Sequence, residues 1–303
     1  MKKIVLCSGG TGGHIFPAIS LLKSLSEENE TVLVTDKRAF KYINLPKEKV
    51  KILNVSSLKK NIVLNIFSIF KLFFSIIDSV LFLKKEKIDA VVGLGGYVSF
   101  PILLSAKILN KKIYLYEPNL VLGRVNKFFL GDCEKIFVHT NSIINVPKKY
   151  SLKFIQVGNI IREEILNYPN TENKNNEEDT RIIILGGSQG AKIFGEVIPK
   201  AILNLVKKNI KLNILQQVLP EQKDDIELFY KKNMIKNYTF IFDKNIISLM
   251  AKSDLAISRS GASTLAELDF LQIPFIAVPY PHAKDNHQYE NALYYKKKQS
   301  CWI

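Results

Sequence analysis

Short apolar runs, most of them unbroken, alternate with stretches of helical period along most of this chain. The runs fall at residues 3–7, 31–35, 90–93, 113–116, 136–138 and 154–157, then at 182–185, 212–216, 239–242, 255–258 and 275–278. Most are bounded by Gly, Pro, Asn or Asp. Runs without a polar face suit strands of a parallel sheet covered on both sides. Their alternation with helices predicts a doubly wound α/β architecture. Between 167 and 179 the sequence NYPNTENKNNEED is polar and has no apolar period. It reads as a linker, with a hinge starting slightly earlier near Gly158-Asn159. Two domains follow, 1–160 and 161–303.

One stretch departs from the alternation. Residues 62–83 read IVLNIFSIFKLFFSIIDSVLFL, long enough to resemble a membrane span. Asn65, Lys71 and Asp78 interrupt it, Lys59-Lys60 precede it and Lys84-Lys85 follow. One reading is a pair of buried helices in the first domain. The other leaves one edge exposed to dip into a bilayer, with the lysines on anionic lipid. A spanning helix is disfavoured, because the segment lies inside a regular α/β alternation.

Composition changes the picture in three places. With 303 residues and 47% hydrophobic content, two packed domains are affordable and disorder is excluded as the dominant state. Three cysteines, Cys7, Cys133 and Cys301, lack metal spacing and fit a reducing cytoplasm. The chain opens on a strand, with no signal peptide in view. The formal charge of +15 reflects either a lysine-rich compositional bias or an anionic partner. Nucleic acid is the weaker partner, since no nucleic-acid motif accompanies the charge.

Candidate chemistry collects in loops that follow strands, the edge where open α/β sheets bind ligands. Gly9-Gly10-Thr11-Gly12-Gly13-His14 is not the dinucleotide fingerprint, because the third glycine's place holds Ile15. Hydride transfer is therefore disfavoured. His14, at a helix start among glycines, is placed to act as a base rather than only as a cap. A second glycine loop, Leu94-Gly95-Gly96-Tyr97-Val98-Ser99, reads as another wall of the same acceptor pocket. In the second half, Gly186-Gly187-Ser188-Gln189-Gly190-Ala191 offers N–H donors and a hydroxyl to a diphosphate, with Lys192 adding charge. Ser258 to Glu267 opens a helix whose Glu267 can accept the hydroxyls of a ribose; the alternative is a solvated helix glutamate. In Pro279 to Tyr289, Gln288 suits sugar hydroxyls. His282 and His287 lack a third ligand at metal spacing and read as ordinary surface residues. The residues call for no cofactor and no tightly bound metal.

Together the stretches GGTGGHIFPA, GLGGYVSFP, GGSQGA, SRSGASTLAELDFLQIP and VPYPHAKDNHQYENA resemble the MurG family, the N-acetylglucosaminyltransferases of peptidoglycan synthesis. The resemblance runs from residue 9 to 292. It implies a glycosyltransferase B fold, two Rossmann-like domains facing across a cleft. The first would hold an undecaprenyl-linked muramoyl-pentapeptide at the cytoplasmic face of the bacterial membrane, and the second UDP-N-acetylglucosamine. It implies transfer with inversion to the C4 hydroxyl of the muramoyl sugar. By position it assigns Thr11, Gly12 and Gly13 to the sugar and diphosphate side, Asn119 to a donor-sugar contact and Arg162 to the nucleotide. It assigns Ser188 to phosphate, Ala262, Ser263, Thr264, Leu265, Ala266 and Glu267 to the nucleotide loop, and Gln288 to sugar hydroxyls. Asp243 falls on a uracil position usually held by isoleucine, through a contact made mainly by backbone. Tyr116 and Pro118 replace the usual histidine and glutamine around Glu117, and Ile160 the usual proline. The family continues beyond Ile303 with a final helix returning to the first domain, so a fragment or a shortened gene is expected. The alternatives are a UDP-sugar 2-epimerase on the same fold, or a nucleotide-sugar-binding membrane protein without catalysis.

Overall fold

The computed structural model describes residues 1–10, 12–55, 62–169, 179–188 and 190–303, and of Lys41 and 62–67 the backbone only. Thr11, Gln189, the lysines at 59 and 60 and most of the polar linker lie outside the described residues. The chain divides into two compact units, Met1–Arg162 and Glu163–Ile303. Arg162 therefore belongs to the first unit, two residues past the boundary read from the sequence.

The first unit runs β1 (Lys3–Cys7), α1 (Gly12–Leu25), β2 (Glu30–Thr35), β3 (Val50–Ile52), α2 (Ile62–Lys85), β4 (Ala90–Gly93), α3 (Ser99–Ile108), β5 (Lys112–Glu117), α4 (Arg124–Phe129), β6 (Lys135–Val138) and β7 (Phe154–Gln156). The second runs α5 (Glu163–Leu166), β8 (Thr180–Leu185), α6 (Lys192–Val206), β9 (Leu212–Gln217), α7 (Lys223–Lys232), β10 (Lys236–Phe240), α8 (Ile246–Ala251), β11 (Leu255–Ser258), α9 (Ala262–Phe270), β12 (Phe275–Ala277), α10 (His287–Lys297) and β13 (Cys301–Trp302). Among the described residues the sheets are ordered β3-β2-β1-β4-β5-β6-β7 and β10-β9-β8-β11-β12-β13. Every strand pair in both is parallel.

Alternation along each central strand explains the continuous apolar runs. Val5 and Cys7 enter one core and Leu6 the other, on opposite faces of β1. In β8, Ile183 and Leu185 face one core while Ile182 and Ile184 face the other. Strand order reverses between β1 and β4, and again between β8 and β11. At such switch points consecutive strands send their following helices to opposite faces, which opens a crevice beyond their carboxyl ends. The glycine loops after β1 and β8 lie at those two points.

The stretch beginning at 62 is one 24-residue helix, not a pair of buried ones. Its inward side mixes serines with apolar residues such as Leu83, and large apolar side chains also stand on the outside. Ser68, Ser75 and Ser79 are buried, while Ile69, Phe70, Phe73, Phe74, Ile77 and Leu81 are exposed, Phe74 at 65%. The small serines seat the helix: Ser75 Oγ donates to the Asn54 carbonyl at 3.1 Å, and from α3 Ser105 Oγ donates to the Ile76 carbonyl at 3.1 Å. Among the described residues no helix is long and apolar enough to cross a membrane.

Candidate active site

In the first unit, two glycine loops pack against each other. A methyl group built on Gly96 would lie 3.0 Å from the Gly9 carbonyl oxygen, and Gly96 has φ +79°. Only glycine meets both conditions, so the contact fixes how closely the two backbones approach. His14 stands in the first turn of α1, where a methyl on Gly95 would lie 3.3 Å from its Cε1. The histidine ring thus borders the double-glycine floor from one side. Gly12 is buried and Gly13 exposed beside it.

On the first of the two loops, a methyl on Gly10 would lie 3.2 Å from Nη2 of Arg38. That guanidinium donates to the Tyr97 hydroxyl through Nη2 and to Asp36 Oδ2 through Nε at 3.1 Å, and Tyr97 itself donates to Asp36. The Ala39 amide donates to Asp36 Oδ1 at 3.0 Å. Burial opposes the charged form of Asp36, but the bonds from Tyr97, Ala39 and Arg38 outweigh it and hold its carboxyl below the usual value. Burial and the Asp36 carboxylate together push the Tyr97 phenol well up. Tyr97 falls within the second glycine loop, but neither Asp36 nor Arg38 stands out in the sequence. Arg38 and Tyr97 are 59 positions apart, and no local pattern announces their contact.

Glu117, ending β5, is buried and organises the next loop. It accepts from the Asn119 amide N–H at 3.1 Å, Asn119 Nδ2 at 2.9 Å, the Gly123 amide at 2.8 Å and Asn126 Nδ2 at 3.0 Å. Asn119 is thereby oriented through its own side-chain nitrogen. Tyr116 is buried, and its hydroxyl accepts from the Ile160 amide at 3.0 Å. Two of the three departures from the family pattern, Tyr116 and Ile160, thus meet in one hydrogen bond. Arg162 places its guanidinium carbon 5.0 Å from the Phe16 ring on α1.

The second unit carries the other set of residues. Gly187 (φ +82°) and Gly190 (φ +72°) turn the loop after β8, and the Gly190 amide donates to the Gly187 carbonyl at 3.0 Å. A methyl on Gly186 would strike the Ala191 nitrogen at 2.5 Å. Ser188 projects from this turn into solvent. Glu267 on α9 is buried at 7% exposure, which overturns the alternative of a solvated helix glutamate. Ala262, Ser263 and Thr264 are half-buried at the start of that helix, whereas the side chains of Leu265 and Ala266 turn inward. The Leu265 amide is committed to the Gly261 carbonyl at 3.0 Å, so Leu265 shapes the loop from beneath.

Asp243 accepts from the Tyr238 hydroxyl at 2.7 Å and the Asn245 amide at 2.6 Å, which fixes the loop after β10. Gln288 Oε1 accepts from the Tyr280 amide at 2.9 Å, leaving its side-chain nitrogen as the donor end. Sequence reasoning passed over Arg259. Its Nη1 donates to the Val278 and Pro279 carbonyls at 3.3 and 3.2 Å, and its guanidinium carbon lies 4.9 Å from the Phe194 ring and 5.4 Å from the Tyr280 ring. It ties together the loops after β11 and β12 and the start of α6. His287 Nδ1 is 2.7 Å from the Lys284 carbonyl, an ordinary loop contact.

The chain is similar to known proteins. The glycosyltransferase family 28 N-terminal domain matches residues 4–138, and the family 28 C-terminal domain matches residues 181–303. A protein of Pelagibacter ubique is 41% identical, the match covering all of this chain and 84% of that protein. A protein of Rickettsia felis is 38% identical, covering all of this chain and 86% of that one. Both are named UDP-N-acetylglucosamine--N-acetylmuramyl-(pentapeptide) pyrophosphoryl-undecaprenol N-acetylglucosamine transferase. The crystal structure of Acinetobacter baumannii MurG superposes with a TM-score of 0.72 at 24% identity, over 98% of this chain and 83% of that one.

Proposed function

We propose that this chain, which belongs to the MurG group within glycosyltransferase family 28, transfers N-acetylglucosamine from UDP-N-acetylglucosamine to a lipid-linked N-acetylmuramoyl-pentapeptide. The observation that carries this reading is full-length identity of 41% to a transferase of that name, with both glycine loops at the switch points of their sheets.

In the reaction, the C4 hydroxyl of the muramoyl sugar attacks C1 of the donor sugar and UDP departs, inverting the anomeric centre. His14 takes the hydroxyl proton, the role of a general base positioned at the reacting hydroxyl. Negative charge grows on the leaving diphosphate, where the amides of the loop after β8, the Ser188 hydroxyl and Arg162 stabilise it. Glu267 accepts from the ribose, and the nitrogen of Gln288 donates to sugar hydroxyls. The Asn119 amide faces the donor sugar, and the backbone around Asp243 the uracil. The reaction needs no cofactor.

The exposed stripe of α2 supports peripheral contact with a membrane. Six large apolar side chains stand beside exposed Lys71, Lys84 and Lys85, the pairing that interfacial binding to anionic lipid uses. Such contact would bring the acceptor loops to a substrate that never leaves the bilayer.

Transfer of labelled sugar to a soluble acceptor analogue tests the reading, and wild-type protein should form the disaccharide only when acceptor is present. Donor turnover without acceptor would instead indicate an epimerase.

A further inference from the structure

The acceptor of the proposed reaction carries a diphosphate between sugar and lipid, and that group needs a cation. Glycine amides alone supply partial charges; a diphosphate held at neutral pH is normally met by a full positive charge as well. In the first unit, Arg38 is the guanidinium next to the double-glycine floor. Its side chain is 55% exposed while that of its anchor, Asp36, is 4% exposed. Nε and Nη2 are engaged by Asp36 and Tyr97, and among the described residues Nη1 has no partner. A planar fork clamped on one edge and open on the other is pre-organised to receive phosphate oxygens, with little rotamer entropy left to lose. Tyr97 directly follows Gly96, so the clamp and the second glycine loop are one continuous piece of backbone. His14 lies beside another glycine of the same floor, Gly95.

We propose that Arg38, braced by Asp36 and Tyr97, is a diphosphate-binding residue of the acceptor site. The assignment rests on the transferase reading above. It places the acceptor's diphosphate over Gly10 and its reacting sugar toward His14. Asp36 and Tyr97 are positioning residues: they touch the arginine and not the substrate.

The donor also contains a diphosphate, so the test varies the two substrates separately. In steady-state transfer, R38A is expected to raise the acceptor KM about tenfold and leave the donor KM within about twofold. R38K keeps the charge but loses the fork, and should fall between R38A and wild type. Y97F should raise the acceptor KM by a smaller factor with kcat little changed. A raised donor KM, or an unchanged acceptor KM in R38A, overturns the assignment. Direct binding of a short-chain prenyl diphosphate, measured by calorimetry, does not depend on turnover. Wild-type binding that weakens about tenfold in R38A supports the assignment. Equal binding by both proteins, or none by wild type, overturns it. Wild-type binding without transfer would sink the transferase reading and leave the diphosphate site standing. A single cooperative melting transition above the assay temperature shows that R38A is folded.

Discussion

Between its third and fourth strands the first unit places the 24 residues of α2, where the second unit places the six of α8. Strand order and direction are otherwise the same in the two sheets from one edge through the switch point. A crossover between parallel strands needs only to reach the next strand, and α8 shows that six helical residues suffice. The additional turns of α2 are therefore surplus to the sheet, and they carry the exposed phenylalanines. The glycine loops diverge in the same way. The loop after β1 abuts a second glycine loop and ends in a histidine. The loop after β8 stands as a single turn and presents a serine. On the proposed reading, one shared scaffold has been specialised for a lipid-borne acceptor in the first unit and for a nucleotide diphosphate in the second.

The sharpest test of that contrast is His14 against Ser188. H14A should reduce kcat by about 10²–10⁴, with donor affinity unchanged by calorimetry, because a general base is lost. S188A should cost only about tenfold, seen chiefly as weaker UDP binding, because one hydrogen bond to phosphate is lost. Equal effects on kcat would erase the distinction between the loops.

The next largest effect separates α2 from the second unit. Replacing Phe70, Phe73 and Phe74 together with serine should weaken sedimentation with anionic vesicles about a hundredfold. Serine at Phe270, an exposed aromatic of α9, should leave it unchanged. Smaller again, E267Q should raise the donor KM about fivefold to tenfold and not the acceptor KM, since it removes a charge-assisted acceptor for ribose hydroxyls.

The smallest effects concern stability. Asp36 has a lowered folded-state pKa, so its contribution is complete above the unfolded value near 4 and is lost as pH falls through the folded value. D36N should cost about 1–2 kcal/mol at pH 7 and flatten the acid side of the stability profile, measured by denaturant unfolding. The three thiols make a parallel control. Burial pushes Cys7 up to about 12 and Cys301 up to about 11, and raises Cys133 as well. All three should resist alkylation at neutral pH until the units unfold.

Much of the fold was legible because central strands declare themselves. The runs at 3–7, 90–93 and 255–258 coincide with β1, β4 and β11. Edge strands were harder. β10 begins at Lys236, three residues before its apolar run, because an edge strand tolerates Lys236 and Asn237. The short β3, another edge, gave no run at all. The buried-pair reading of 62–83 failed for a physical reason. It assumed that the whole apolar set points inward, whereas serines satisfied by backbone carbonyls share the inward side with Leu83 and six large apolar side chains are left exposed. Candidate ligand residues were readable where a loop follows a strand, as with Ser188 and Glu267. The Asp36–Arg38–Tyr97 cluster was not, because its members meet only after β2 and β4 are aligned through β1.

The serine seating of α2 has a mechanical consequence. Apolar packing is tolerant of rotation, but a hydroxyl aimed at a particular carbonyl is not. Ser75 and Ser105 key the helix at a set azimuth about its axis, like a splined shaft. The protein therefore lacks the usual recourse of an amphipathic segment in water, which is to roll its greasy side under. Its phenylalanines stay turned outward whether or not a surface is there to meet them, and the proposed docking would require no refolding of this helix.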